Sequence, residues 1–150
     1  MKNSIRIPAR YEKMVRELAG DKKETKVFNT YKDFVVFVAC LGRKYGEPSS
    51  FKKSMDNPIR LNIFRDEFDL SLMNALAIVE SNDINLLGTQ GTNKRLEIFE
   101  NYACKGFEVF ENKVYNQGGD VQIQLLKLII SEAESSGNIL DDITSFVDDY

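Results

Sequence analysis

The stretch Thr30-Tyr-Lys-Asp-Phe-Val-Val-Phe-Val-Ala-Cys-Leu-Gly-Arg-Lys-Tyr-Gly46 decides how the rest of this chain is read. Phe34, Phe37, Val38, Leu41 and Tyr45 recur at steps of three and four, the spacing of one helix face. Val35 and Val36 widen that face. The run Phe34 to Leu41 is apolar and Val-rich, so its period alone also admits a buried strand. The ends settle the matter. Thr30 supplies an N-cap hydroxyl, Thr30-Tyr-Lys-Asp33 has the form of a capping box with Asp in place of Glu, and Gly46 stands just past the last turn. The expectation is a central helix.

Towards the N-terminus, Ser4 to Pro8 reads as an extended arm, because Pro8 pushes Ile7 out of helical geometry. A helix is expected from about Ala9 to Ala19. Tyr11, Met14, Val15 and Leu18 lie on one face and Arg10, Glu12, Lys13, Arg16 and Glu17 on the other, with Gly20 ending it. Asp21 to Lys26 is a charged loop.

Towards the C-terminus, Glu47 to Pro58 reads as a loop. Ile59, Leu61 and Ile63 then alternate with polar residues, which permits a short extended segment over 59–64. One strand cannot make a sheet, so this segment is expected to pack on helices. A helix from Asp69 to Ser81 should turn Leu72, Met73, Leu76 and Val79 inward, and Leu86 to Asn93 is a turn. The longest helix, Lys94 to Asn116, carries Leu96, Phe99, Ala103, Phe107, Phe110 and Val114 at core spacing until Gly118-Gly119 breaks it. Asp120 caps a further helix to about Ser135, Gly137 stops it, and a final short helix from Asn138 or Asp141 turns Leu140, Ile143, Phe146 and Val147 inward. The fold class is therefore all-α: five or six helices in an orthogonal or bundled single domain over 1–150.

With 43% hydrophobic and 29% charged residues the chain has a globular composition. It contains no histidine. That removes Ser-His and Cys-His nucleophiles, histidine general bases and histidine-ligated metals together. Only carboxylate, lysine, tyrosine or arginine chemistry remains. Cys40 and Cys104 each sit in an apolar helical pattern, where buried free thiols are expected, and no CxxC pair offers a zinc site. No apolar run approaches the ~20 residues that cross a bilayer, and Met1 to Arg10 lacks the apolar region of a secretory signal. A soluble, cytoplasmic protein with no cofactor, no metal and no membrane contact is expected.

The net charge of −3 conceals a division. Residues 1–65 hold 15 Lys/Arg against 7 Asp/Glu, net +8, and residues 66–150 hold 5 against 16, net −11. Such asymmetry points to a nucleic-acid or protein partner. Arg6, Arg10, Lys13, Arg43, Lys44, Lys52, Lys53, Arg60 and Arg65 are the candidate binding residues, because phosphate contact needs a cluster of cations. The competing reading is that the basic half packs against the acidic half, within one chain or between subunits. Cations at helix C-termini also serve the helix dipole.

Other constellations carry less. Asp66, Glu67 and Asp69 could hold Mg²⁺ for phosphodiester cleavage, yet acids at a helix start are expected from capping alone. Asp141, Asp142, Asp148 and Asp149 lack the glycine and terminal glutamate of a calcium loop and suit solubility or docking to a basic partner. Gly88-Thr-Gln-Gly91-Thr-Asn before a helix has neither the Walker nor the GxGxxG pattern. Tyr11, Tyr31, Tyr45, Tyr102 and Phe51 can stack bases only where exposed; aromatics at these spacings are more often core.

Taken together, Ile5-Arg-Ile-Pro8 with Tyr11-Glu12, the Thr30–Gly46 stretch and Pro58-Ile-Arg-Leu-Asn-Ile-Phe64 resemble a family of small proteins encoded beside bacterial DNA phosphorothioation (Dnd-type) modification and restriction genes. The similar segments span roughly residues 5–65. The resemblance implies a prokaryotic cytoplasmic setting, an accessory role in antiviral defence and other proteins of the same system as partners. It brings no catalytic residue with it. The leading expectation is a non-enzymatic accessory protein whose basic half contacts DNA or a partner and whose acidic half docks a second subunit. The alternatives are a self-associating helical adapter without nucleic-acid contact, and a small metal-dependent nuclease using Asp66, Glu67 and Asp69.

Overall fold

In the computed structural model the backbone is described over residues 1–148 and side chains over 1–135. The element order is β1 (Ser4–Ile5), α1 (Glu12–Ala19), α2 (Tyr31–Tyr45), β2 (Ile59–Arg60), α3 (Ser71–Ser81), α4 (Thr92–Lys113) and α5 (Val121–Asp148), joined by loops and short 3₁₀ or π turns. The mainly α expectation holds. The chain divides into two compact units, Met1–Phe110 and Glu111–Tyr150.

In the first unit, α2 forms where its ends said it would. The Asp33 N–H donates to Thr30 Oγ1 at 3.1 Å, while the Asp33 carboxylate pairs with Lys32. Phe34, Val35, Val38, Ala39 and Leu41 are buried. Helix α4 lies antiparallel to α2, as the meetings of Phe34 with Phe110, Val38 with Gly106 and Gly42 with Tyr102 show. At this crossing the two backbones touch. A Cβ on Gly106 would overlap the Val38 carbonyl, and one on Gly42 would overlap the Tyr102 carbonyl. Phe28, Phe34, Phe37, Phe107 and Phe110 form an aromatic cluster beside it, with centroids 4.4–6.2 Å apart. Such ring pairs contribute beyond their buried area.

Helix α1 ends at Gly20, whose N–H donates to the Arg16 carbonyl at 3.1 Å. A Cβ there would strike that same oxygen. The Leu18 carbonyl accepts from both Val27 and Phe28, folding the charged loop back over the helix end.

Four expectations need correcting in this unit. The segment at 59–64 does find a partner strand: the N-terminal arm. Ser4 pairs with Arg60 and Ile5 with Ile59 in an antiparallel two-stranded sheet, and an isolated bridge joins Pro8 to Ser54. Each half reads as extended by itself, but their pairing is non-local. Val79, expected inward, is 54% exposed, because the core side of α3 is carried by Met73, Leu76 and Ala77. Cys40 is exposed; only Cys104 is buried, and both are free thiols. α4 starts two residues earlier than the turn reading placed it, at Thr92, after 3₁₀ turns at Ile84–Leu87 and Thr89–Gly91.

In the second unit, Gly118 and Gly119 take φ of 78° and 73°, the left-handed region that glycine enters without strain. Asp120 then caps α5, accepting from the Gln122 N–H at 2.8 Å. The expected stop at Gly137 and the separate final helix are both wrong: α5 runs unbroken to Asp148. Glycine inside a helix costs about 1 kcal/mol relative to alanine, which weakens a helix without ending it. The inward placement of Leu140, Ile143, Phe146 and Val147 and the acidic group Asp141, Asp142, Asp148 and Asp149 lie outside the described side chains. Among the described side chains of α5 none is buried, and Ile123, Leu126, Ile129 and Ile130 are about half exposed.

Candidate nucleic-acid interface

The arm organises the cations. The Leu61 N–H donates to the Asn3 carbonyl, Met55 to Ile7, and Ala9 to Lys53, at 2.8–2.9 Å. This zipper lays residues 3–9 along 53–61 and brings Arg10 beside Lys53. Both line a cleft of ≈ 590 Å³ with Phe51 and Cys104 in its wall. Lys13 and Lys52 are exposed near them in sequence. Arg10, Lys13, Lys52 and Lys53 enter no ion pair among the described residues. Arg10 packs its guanidinium over the Tyr11 ring at 5.6 Å.

The other candidates go elsewhere. Arg6 turns to Glu100, a carboxylate with no exposed surface. The Arg6 backbone N–H, its guanidinium and the Lys2 ammonium all donate to that carboxylate, the last at 2.8 Å. Arg6 also lies 4.7 Å over the Phe51 ring. Arg43 donates to the Tyr102 hydroxyl at 3.2 Å, and that hydroxyl donates to Glu80. Burial pushes the Tyr102 phenol up, and the Glu80 carboxylate adds to the shift. Lys44 is exposed at the end of α2. Arg60 lines a second cleft, of ≈ 750 Å³, with Asn3, Asn62 and Asp66. Arg65 is exposed and gives its backbone N–H to Asp69. Arg10 and Lys53 are thus the pair brought together at one cleft.

The acidic candidates do not act as a group. Asp69 is buried, with Lys32 Nζ at 2.9 Å and the Arg65 N–H at 2.8 Å, whereas Asp66 and Glu67 are exposed. Desolvation works to raise the Asp69 carboxyl, but the Arg65 N–H and Lys32 outweigh it and hold the group below its ordinary value. Hydrogen bonding to Asp69 raises Lys32 against the cost of burial. Among the described residues, no three His, Cys, Asp or Glu side chains gather closely enough to hold a metal ion. The Gly88–Gly91 turn presents carbonyls rather than an amide cradle, since Arg95 donates to the Leu86 and Gly88 oxygens. Tyr11 and Tyr102 are buried and offer no stacking face, while Tyr31, Tyr45 and Phe51 are partly exposed.

Lys2–Glu100, Arg6–Glu100 and Lys32–Asp69 all cross the division at residue 65. Much of the charge asymmetry is therefore consumed inside the first unit. Counted by compact unit, residues 1–110 carry 18 Lys/Arg against 15 Asp/Glu, net +3, and residues 111–150 carry 2 against 8, net −6. Sequence reasoning passed over Glu100. Its signal was legible, as a lone acid within the Leu96, Phe99, Ala103 stripe.

Residues 4–146 match the model of the family described as DNA sulphur modification system-associated protein 4. The chain belongs to that family. The match takes in both compact units, so membership extends well beyond the 5–65 segments that carried the resemblance. The family description ties the protein to a DNA sulphur modification system. A search of curated proteins and one of solved structures found no match. Among the described residues no helix of this family member is long and apolar enough to cross a membrane.

Proposed function

We propose that this protein is a non-catalytic, cytoplasmic accessory subunit of a DNA sulphur modification and restriction system, serving antiviral defence, and that it contacts the DNA backbone through the Arg10–Lys53 edge. The observation that carries this reading is the zipper of the arm onto residues 53–61, which brings to one cleft two cations that enter no ion pair among the described residues. Cations held by internal carboxylates, such as Arg6 and Lys32, are poorly placed to release counterions from DNA; unpaired ones are free to do so. The internal pairing of Asp69 with Lys32 speaks against the nuclease alternative, because it takes one of the three carboxylates out of reach of a metal ion.

A second reading is favoured by α5. Its half-exposed Ile123, Leu126, Ile129 and Ile130 lie in a unit of net charge −6. An apolar strip on an acidic element suits a positively charged protein of the same system. Two like copies would bring −6 against −6, which disfavours the self-associating adapter. Light scattering on the purified chain separates the cases: a monomer fits docking to a different protein, and a concentration-dependent dimer supports the adapter.

The test of the DNA reading is fluorescence anisotropy on a short duplex from low to physiological salt. Binding that weakens steeply with salt, with a slope reduced in Arg10→Ala/Lys53→Ala, is the expected result. No binding at low salt overturns it.

A further inference from the structure

The cleft between Arg10 and Lys53 is built from two kinds of surface, and this division points to its ligand. The charged groups stand at the outside: Arg10 and Lys53 are exposed. The rest of the lining is mostly apolar, with Ser49 and the exposed Ser50 as its hydroxyl groups. Pro8 is buried, Tyr11 is 4% exposed, Cys104 is 8% exposed, and Phe51 lies partly covered beneath Arg6. Glu108 also borders the cleft, but Lys105 sits 3.4 Å from its carboxylate and offsets that charge.

A plain phosphodiester suits the mouth and not the wall. Both its non-bridging oxygens are strongly hydrated, and turning one towards Pro8, Phe51 and Cys104 rather than towards Ser49 or Ser50 sacrifices hydrogen bonds to water that those three side chains do not replace. A diester with one of those oxygens exchanged for sulphur differs in the way the wall requires. It keeps the negative charge for Arg10 and Lys53, while the sulphur is larger, more polarisable and weakly hydrated. Its contacts with an aromatic edge and a buried thiol resemble those that thioether sulphur makes in protein cores. We infer that this cleft is a phosphorothioate-binding subsite, in which Arg10 and Lys53 hold the charged linkage and the Pro8, Phe51 and Cys104 wall takes the sulphur. The inference rests on the reading that the Arg10–Lys53 edge contacts DNA, and adds that the contact distinguishes sulphur-modified from unmodified backbone.

Two duplexes of identical sequence test it, one unmodified and one carrying a single phosphorothioate of defined configuration in each strand, with both configurations tried. In a competition measurement, one configuration is expected to bind about fourfold more tightly than the unmodified duplex, the gain of moving one methylene-sized atom out of water. Arg10→Ala/Lys53→Ala should weaken both duplexes alike. Cys104→Ser makes the wall more polar at nearly constant volume and should bring the two duplexes to equal affinity. Ala9→Ser, at a less buried position of the same cleft, gives the same reading should Cys104→Ser fail to fold. Equal binding of modified and unmodified duplexes overturns the subsite and leaves the DNA contact standing. A preference that survives both Cys104→Ser and Ala9→Ser arises elsewhere and also overturns it. Failure of every duplex to bind at low salt removes the DNA contact itself, and the subsite with it.

Discussion

Gly106 of α4 lies directly against the carbonyl of Val38 in α2, with no room between them for a methyl group. Four residues along each helix the relationship is repeated in reverse, with Gly42 against the Tyr102 carbonyl. The two glycines allow an antiparallel backbone contact that sets the depth at which Phe34, Phe107 and Phe110 interlock. Gly106→Ala is expected to destabilise the protein by about 3 kcal/mol, because the helices must separate along the whole aromatic cluster. Urea unfolding checks this, and an unchanged midpoint would show that the helices shift apart at no cost.

The Glu100 carboxylate, buried on α4, is the anchor of the N-terminal arm. Removing it leaves the Arg6 N–H and two cations facing a space that nothing polar fills. Glu100→Ala should cost about 2–3 kcal/mol. Hydrogen exchange should show residues 2–7 losing protection before the rest of the chain. Uniform loss across all helices would mean that the arm is not a separable element.

The Asp69–Lys32 pair gives the protein a defined pH dependence. Asp69 is lowered in the folded state, so its contribution is present above the ordinary carboxyl value of 3.8 and is lost as pH falls through the folded value. Lys32 is raised, so its contribution is complete below 10.5 and is lost as pH rises through the folded value. The raised Tyr102 phenol adds to the loss on the alkaline side. Asp69→Asn should flatten both limbs when the unfolding midpoint is followed from about pH 3 to about 11.5, roughly one unit beyond each ordinary value.

Leu126→Glu/Ile130→Glu alters two half-exposed positions of α5. Thermal stability should change by no more than about 0.5 kcal/mol per site, as for other surface substitutions. Co-purification with a basic protein of the same system should be lost. A large stability change would instead show that the strip serves the fold.

Arg10→Ala/Lys53→Ala and Arg60→Ala/Arg65→Ala carry equal changes of formal charge. Only the first pair is expected to lower the salt slope of DNA binding, by about 1.8 for two phosphate contacts. Equal reductions would mean that net charge matters and the cleft does not.

The sequence by itself determined the helices with complete local signals. Thr30 and Gly46 bracket α2, Gly118-Gly119 breaks the chain, and Asp120 caps α5, because capping and left-handed turns depend on residues only a few positions apart. Local signals fail at Gly137, which weakens a helix without ending it. Family membership was also legible in part, through segments in residues 5–65. Tertiary structure alone decided which charges remain for a partner. Charge counting showed a basic and an acidic half, but burial of Glu100 and Asp69 draws Lys2, Arg6 and Lys32 inward from almost a hundred or several tens of residues away. Pairing of the arm with residues 53–61 likewise assembles the Arg10–Lys53 cleft from two segments that share no local signal. A carboxylate taken from water must find its cation wherever the fold provides one, and no spacing along the chain records that choice.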